Sequence, residues 1–128
     1  MPRILFVEDE LAVTDTLKRF FQREGYDVFI ARSLSEALDA YQRHPPDCVV
    51  LDVLLNEGPE PDKSGFDVCQ ELRADERIKD TLVLMLTAKG RDTDVDKGLG
   101  VGADAYMTKP FSTKELVAKV AQMLGAAS

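Results

Sequence analysis

The run CVVLDVL, residues 48–54, is apolar at odd and even positions alike and is broken by one carboxylate, Asp52. A strand that is apolar on both faces belongs to a sheet covered on both sides, the habit of parallel sheets flanked by helices. A lone carboxylate in such a run is costly to bury unless something pairs with it. An acidic stretch with two prolines, NEGPEPDKSG (56–65), follows at once.

Outward from this strand the chain alternates. RILFV (3–7) is a second buried strand. The helix after it carries Val13, Leu17, Phe20 and Phe21 at helical spacing, and Gly25 is its stop. DVFIA (27–31) is a strand. SLSE (33–36) is a capping box opening a helix that Pro45 and Pro46 close. Beyond 48–54 comes a helix with Phe66, Cys69 and Leu72, then LVLMLT (82–87) as a strand, a weaker Gly-rich helix over roughly 92–101, and AYMT (105–108) as a strand. STKE (112–115) is a second capping box, for a helix burying Leu116, Val120, Met123 and Leu124. Residues 1–125 form one domain, and 126–128 a frayed tail. Five strands alternating with five helices make a doubly wound α/β fold, whose common five-strand order is 2-1-3-4-5. Ligands of such sheets bind at the carboxyl ends of the strands, where the first and third lie side by side.

Composition narrows the function. The 128 residues suit one domain, with 45% hydrophobic and 30% charged residues. The net charge of −7 argues against direct nucleic-acid binding and favours basic partners or a cation. No apolar stretch approaches the ~20 residues of a membrane span, and the early acidic residues do not fit a signal peptide. Cys48 and Cys69 have no paired spacing and read as buried free thiols in a reducing compartment, with the cytoplasm as default. GLGVG (98–102) follows a helix rather than a strand, so it is no dinucleotide loop.

The strand ends collect Glu8 and Asp9 from the first strand, Asp52 from the third, Thr87 from the fourth and Lys109 from the fifth. Each has an ordinary use alone: Asp9 as a helix cap, Thr87 as a strand end, Lys109 as a solvated loop charge, Tyr106 as a half-buried strand aromatic. Together, three carboxylates and one ammonium leave about −2, and two like charges 4 Å apart cost roughly 4 kcal/mol at an effective dielectric near 20. An all-oxygen cluster suits Mg²⁺ or Mn²⁺ rather than Zn²⁺. A carboxylate there can act as a nucleophile toward phosphorus, with Thr87 and Lys109 contacting phosphoryl oxygens.

These residues resemble the receiver domain of two-component response regulators, through ILFVEDE (4–10), VVLDVLL (49–55), MLTAK (85–89) and GADAYMTKPF (102–111). The resemblance implies that Asp52 is phosphorylated by a sensor histidine kinase or phosphotransfer protein, and that Asp9, Asp52 and the backbone carbonyl of Leu54 bind Mg²⁺, with Glu8 helping through water. It makes Thr87 and Lys109 the phosphate-sensing pair, Tyr106 a switch, and the Lys109–Pro110 peptide cis. A downstream protein or output domain would meet the face formed by the fourth expected helix, the fifth strand and the last helix. The role is regulatory: the domain catalyses only its own phosphotransfer and dephosphorylation. The sequence departs from the family where Asn56 replaces a proline and Gly65 arrives about five residues late, leaving Glu57, Glu60 and Asp62 in a long loop stiffened by Pro59 and Pro61. An aspartate-nucleophile phosphohydrolase would carry an acid at position 54, where Leu54 stands. A flavin carrier would need a hydroxyl- and Gly-rich loop where EDELAVT (8–14) lies.

Overall fold

A computed structural model describes residues 2–8, 11–52, 65–76, 80–88, 100, 102–109 and 111–127. In chain order the elements are β1 (Arg3–Val7), α1 (Leu11–Arg23), β2 (Asp27–Ala31), α2 (Leu34–Arg43), β3 (Cys48–Asp52), α3 (Gly65–Ala74), β4 (Leu82–Ala88), β5 (Ala105–Lys109) and α4 (Thr113–Ala127). The strands form one parallel sheet in the order β2-β1-β3-β4-β5. The fold is therefore the doubly wound α/β architecture expected. The helix anticipated over 92–101 lies outside the described residues except for Gly100, which is helical, and so do residues 53 and 54 of the third strand.

Alternation along the strands sorts the core into two layers. Leu5, Val7, Val49, Leu51, Val83 and Met85 pack with α2 and α3 through Ala37, Tyr41, Val68, Cys69 and Leu72. Ile4, Phe6, Cys48, Val50, Leu84 and Leu86 pack with α1 and α4 through Leu17, Phe21, Leu116, Val120 and Met123. Phe21 meets the edge of Phe6 at a centroid distance of 5.0 Å. Both expected caps are present: Ser33 Oγ accepts from the Glu36 amide at 3.2 Å, and Ser112 Oγ from the Glu115 amide at 3.0 Å. Gly25 takes φ +96°, the left-handed turn that ends α1.

Three local expectations change. Val13 is 37% exposed, because the buried line of α1 runs through Thr14, Leu17 and Phe21. The chain does not fray at Gly125, since α4 continues to Ala127; the two alanines favour helix enough to carry it past the glycine. β4 and β5 each run one residue further than expected, to Ala88 and Lys109. The loop residue His44 stacks on Phe29 at 4.6 Å.

A polar belt closes the amino edge of the sheet. The Arg3 amide donates to Asp47 Oδ2 at 2.7 Å, the Asp47 amide to the Arg3 carbonyl at 2.8 Å, and the Leu82 amide to the Asp47 carbonyl at 3.2 Å. The Thr81 hydroxyl donates to the Pro46 carbonyl at 3.1 Å. Arg73, at the end of α3, donates from Nε to the Gly102 carbonyl (2.9 Å), from Nη1 to the Thr81 carbonyl (2.5 Å) and from Nη2 to Asp104 Oδ2 (2.7 Å). Among the described residues no helix is long and apolar enough to cross a membrane.

Candidate functional site

The opposite, carboxyl edge carries Glu8, Asp52, Thr87 and Lys109 among the residues singled out from the sequence. Leu51 faces the α2 and α3 layer, so the next residue, Asp52, turns toward the α1 and α4 side. Its side chain is only 7% exposed. Val7 stands opposite Leu51 in the ladder, so the residues that follow them, Glu8 and Asp52, end neighbouring strands. Glu8 is 3% exposed, and its amide donates to the Ala31 carbonyl at 3.0 Å, which ties the end of β1 to the end of β2. Two nearly buried carboxylates thus share the point where the sheet's winding reverses. Neither residue is without a partner, as a buried charge requires.

Register carries the site across the sheet. Asp52 is opposite Leu86, which puts Thr87 one step beyond it; Thr87 is opposite Thr108, and Lys109 opposite Ala88. The backbone therefore brings Glu8, Asp52, Thr87 and Lys109 to consecutive strand ends in the order β1, β3, β4, β5. Tyr106, opposite Met85, is 46% exposed on edge strand β5. Asp9, Leu54, Pro110 and the acidic loop lie outside the described residues. Among the described residues no three His, Cys, Asp or Glu side chains come together as a metal cluster, so a cation here would need donors beyond Glu8 and Asp52.

The donor set is oxygen throughout, which suits a hard divalent cation. The thiols offer no rival chemistry. Burial pushes the Cys48 thiol up to about 12, reinforced by the carboxylates of Asp104 and Asp47. Burial also raises the Cys69 thiol, against the opposing influence of Arg73. Both stay protonated near neutrality and are poor nucleophiles. The sequence reading passed over Arg73, whose partners lie 8 to 31 residues away. The one hint was Gly102 ahead of Asp104, just before a strand.

Comparison with known proteins bears on the family and the fold. The response regulator receiver domain family matches residues 4–121. A crystal structure of a candidate response regulator from Chloroflexus aurantiacus superposes with a TM-score of 0.86 at 34% identity, covering 97% of this chain and 98% of that one. The signal receiver domain of a signal transduction histidine kinase from Syntrophus aciditrophicus gives 0.85 at 28% identity, covering 98% and 92%. The chemotaxis protein CheY4 of Vibrio cholerae gives 0.84 at 28% identity, covering 95% and 98%.

Proposed function

This chain belongs to the response regulator receiver domain family, and we propose that it works as a phosphoacceptor switch in which Asp52 is the acceptor. The observation that carries this reading is the pair of nearly buried carboxylates, Glu8 and Asp52, at adjoining strand ends of the winding reversal. In the proposed step an Asp52 carboxylate oxygen attacks the phosphorus of the donor. A P–O bond forms, and the bond from phosphorus to the donor breaks, a P–N bond for a phosphohistidine or a P–O bond for acetyl phosphate. The leaving group departs with the electron pair.

Asp9, Asp52 and the Leu54 carbonyl would hold Mg²⁺, or Mn²⁺ in its place, and Glu8 would assist through water. When bound, such an ion offsets the carboxylate charge and polarises the phosphoryl oxygens. Thr87 donates its hydroxyl and Lys109 its charge to the phosphoryl group once it is on Asp52. Their engagement would draw the end of β4 toward the site and let Tyr106 change its exposure. A partner reading the surface around β5 and α4 would sense the difference. The donor is a histidine kinase or phosphotransfer protein, and the cytoplasm is the expected setting.

The test is phosphate incorporation. With acetyl phosphate and Mg²⁺ the protein should gain acid-stable, alkali-labile phosphate, and Asp52→Asn should gain none. Comparable labelling of that variant would put the acceptor elsewhere.

A further inference from the structure

We propose that Arg73 is a positioning residue for Lys109 and Tyr106, acting through the register of β5. The proposal rests on the reading that Lys109 and Tyr106 respond to phosphate at Asp52. β5 is an edge strand of five residues, paired among the described residues with β4 alone. Among its described side chains Ala105 and Met107 pack on the core layer, and both are partly buried. Strands so lightly anchored have weakly specified register, and a slip by one residue would turn every side chain to the other face.

Asp104 supplies what the strand's own packing does not. Its Oδ2 accepts from the Val83 amide at 2.7 Å, while its own amide donates to the Val83 carbonyl at 2.9 Å. Asp104 is thereby fixed to Val83, one residue before the first ladder pair, Leu84 with Ala105. Arg73 locks that contact from outside. One guanidinium spans the residue ahead of β4 (Thr81) and two ahead of β5 (Gly102 and Asp104), so its fork measures the offset between the strands. Only a planar fork serves three acceptors in three directions; an ammonium is a single point. Gly102 fits this contact twice over. Its φ is +105°, and a Cβ there would stand 3.0 Å from Arg73 Cγ. From Asp104 the strand runs five residues to Lys109, roughly 16 Å at about 3.3 Å per residue, too far for Arg73 to touch a phosphoryl group itself.

The experiment compares Arg73→Gln, Arg73→Lys and Asp104→Ala with the parent chain. In unlabelled protein, amide exchange over 104–108 should quicken roughly ten- to hundredfold, the loss expected for a charged hydrogen bond, while β1 and β3 amides hold. Mg²⁺ affinity should be unchanged. Labelling by acetyl phosphate should slow roughly ten- to hundredfold, as for a misplaced catalytic group, and the Tyr106 ring signals should no longer respond to phosphate. Arg73→Lys should behave like Arg73→Gln, because geometry and not charge is at stake. A variant set that only melts earlier, with labelling and the Tyr106 response intact, overturns the proposal. So does rescue by lysine, or a Mg²⁺ affinity that falls in step with labelling. If the parent chain itself takes no phosphate, the function proposed above fails, and the exchange rates over 104–108 still decide whether Arg73 sets the register.

Discussion

Replacing Asp52 with asparagine should stabilise the protein when no divalent metal is present. Glu8 and Asp52 end neighbouring strands at matched positions, and adjacent strands lie about 4.8 Å apart. With exposures of 3% and 7%, water screens the two charges poorly. Two like charges about 5 Å apart repel by roughly 3 kcal/mol at an effective dielectric near 20. Glu8 and Asp52 have further interactions that offset part of this, so a net gain of about 1–2 kcal/mol is the expectation. Asparagine keeps the shape, so no cavity term enters. For 128 residues, an unfolding entropy of about 2.1 cal/mol/K per residue converts the gain to a rise of about 4–7 °C. The assay is urea and thermal unfolding followed by circular dichroism, first in EDTA and then in Mg²⁺. Metal at ten times its dissociation constant should stabilise the parent chain by about 1.4 kcal/mol and the variant by less, narrowing the gap. An Asp52→Asn variant no more stable than the parent in EDTA would refute the idea that the site stores charge repulsion.

Three further outcomes are expected. Because burial holds the Cys48 thiol neutral up to about 12 against an ordinary 9.0, the unfolded chain loses its proton first. Stability is then undiminished below about 9 and falls as pH rises toward 12, by about 1.4 kcal/mol per unit, and Cys48→Ala should flatten that slope in urea unfolding between pH 9 and 11. Phe21→Ala removes a fully buried ring packed on Phe6 and Tyr26 and should cost about 3–5 kcal/mol in the same assay. Neutralising Glu57, Glu60 and Asp62 should speed labelling by acetyl phosphate at low salt, and the gain should fade as salt shortens the screening length to about 8–10 Å; equal rates at low salt would make the loop a bystander.

What could be read in advance followed from strong local signals. The strands announced themselves because helices cover both faces, which demands apolar residues at every position. The two serine caps were legible because each is a contact between residues three apart. Val13 was misplaced because an apolar residue at helical spacing from Leu17 counts toward the stripe, whereas the face that packs is one with Thr14 on it, a polar residue that pattern alone puts outside. Arg73 was invisible for a different reason. Its acceptors are backbone carbonyls and one carboxylate on other elements, and backbone carbonyls carry no residue identity.

The two edges of the sheet treat charge in opposite ways, and the difference bears on how a switch could work. At the amino edge Asp47 accepts from the Arg3 amide, and Asp104 from an amide and a guanidinium, so each carboxylate is met by donors and the strand entries are tied together. At the carboxyl edge Glu8 and Asp52 bring like charges to adjoining strands. Natural chains break local rules of this kind mainly at functional sites and compensate elsewhere. A sheet pinned at one edge cannot relieve repulsion at the other by sliding its strands, because parallel register shifts move both ends together. What the surroundings of Glu8 and Asp52 leave unrelieved is open to a cation or to a change in the charge of Asp52, and the effect falls on side chains and connections at the carboxyl edge. On the function and the register clamp proposed above, Arg73 and the Glu8–Asp52 pair are parts of one device: the first denies the strands a slow mechanical escape, so that events at the second would be felt by whatever packs beside β5.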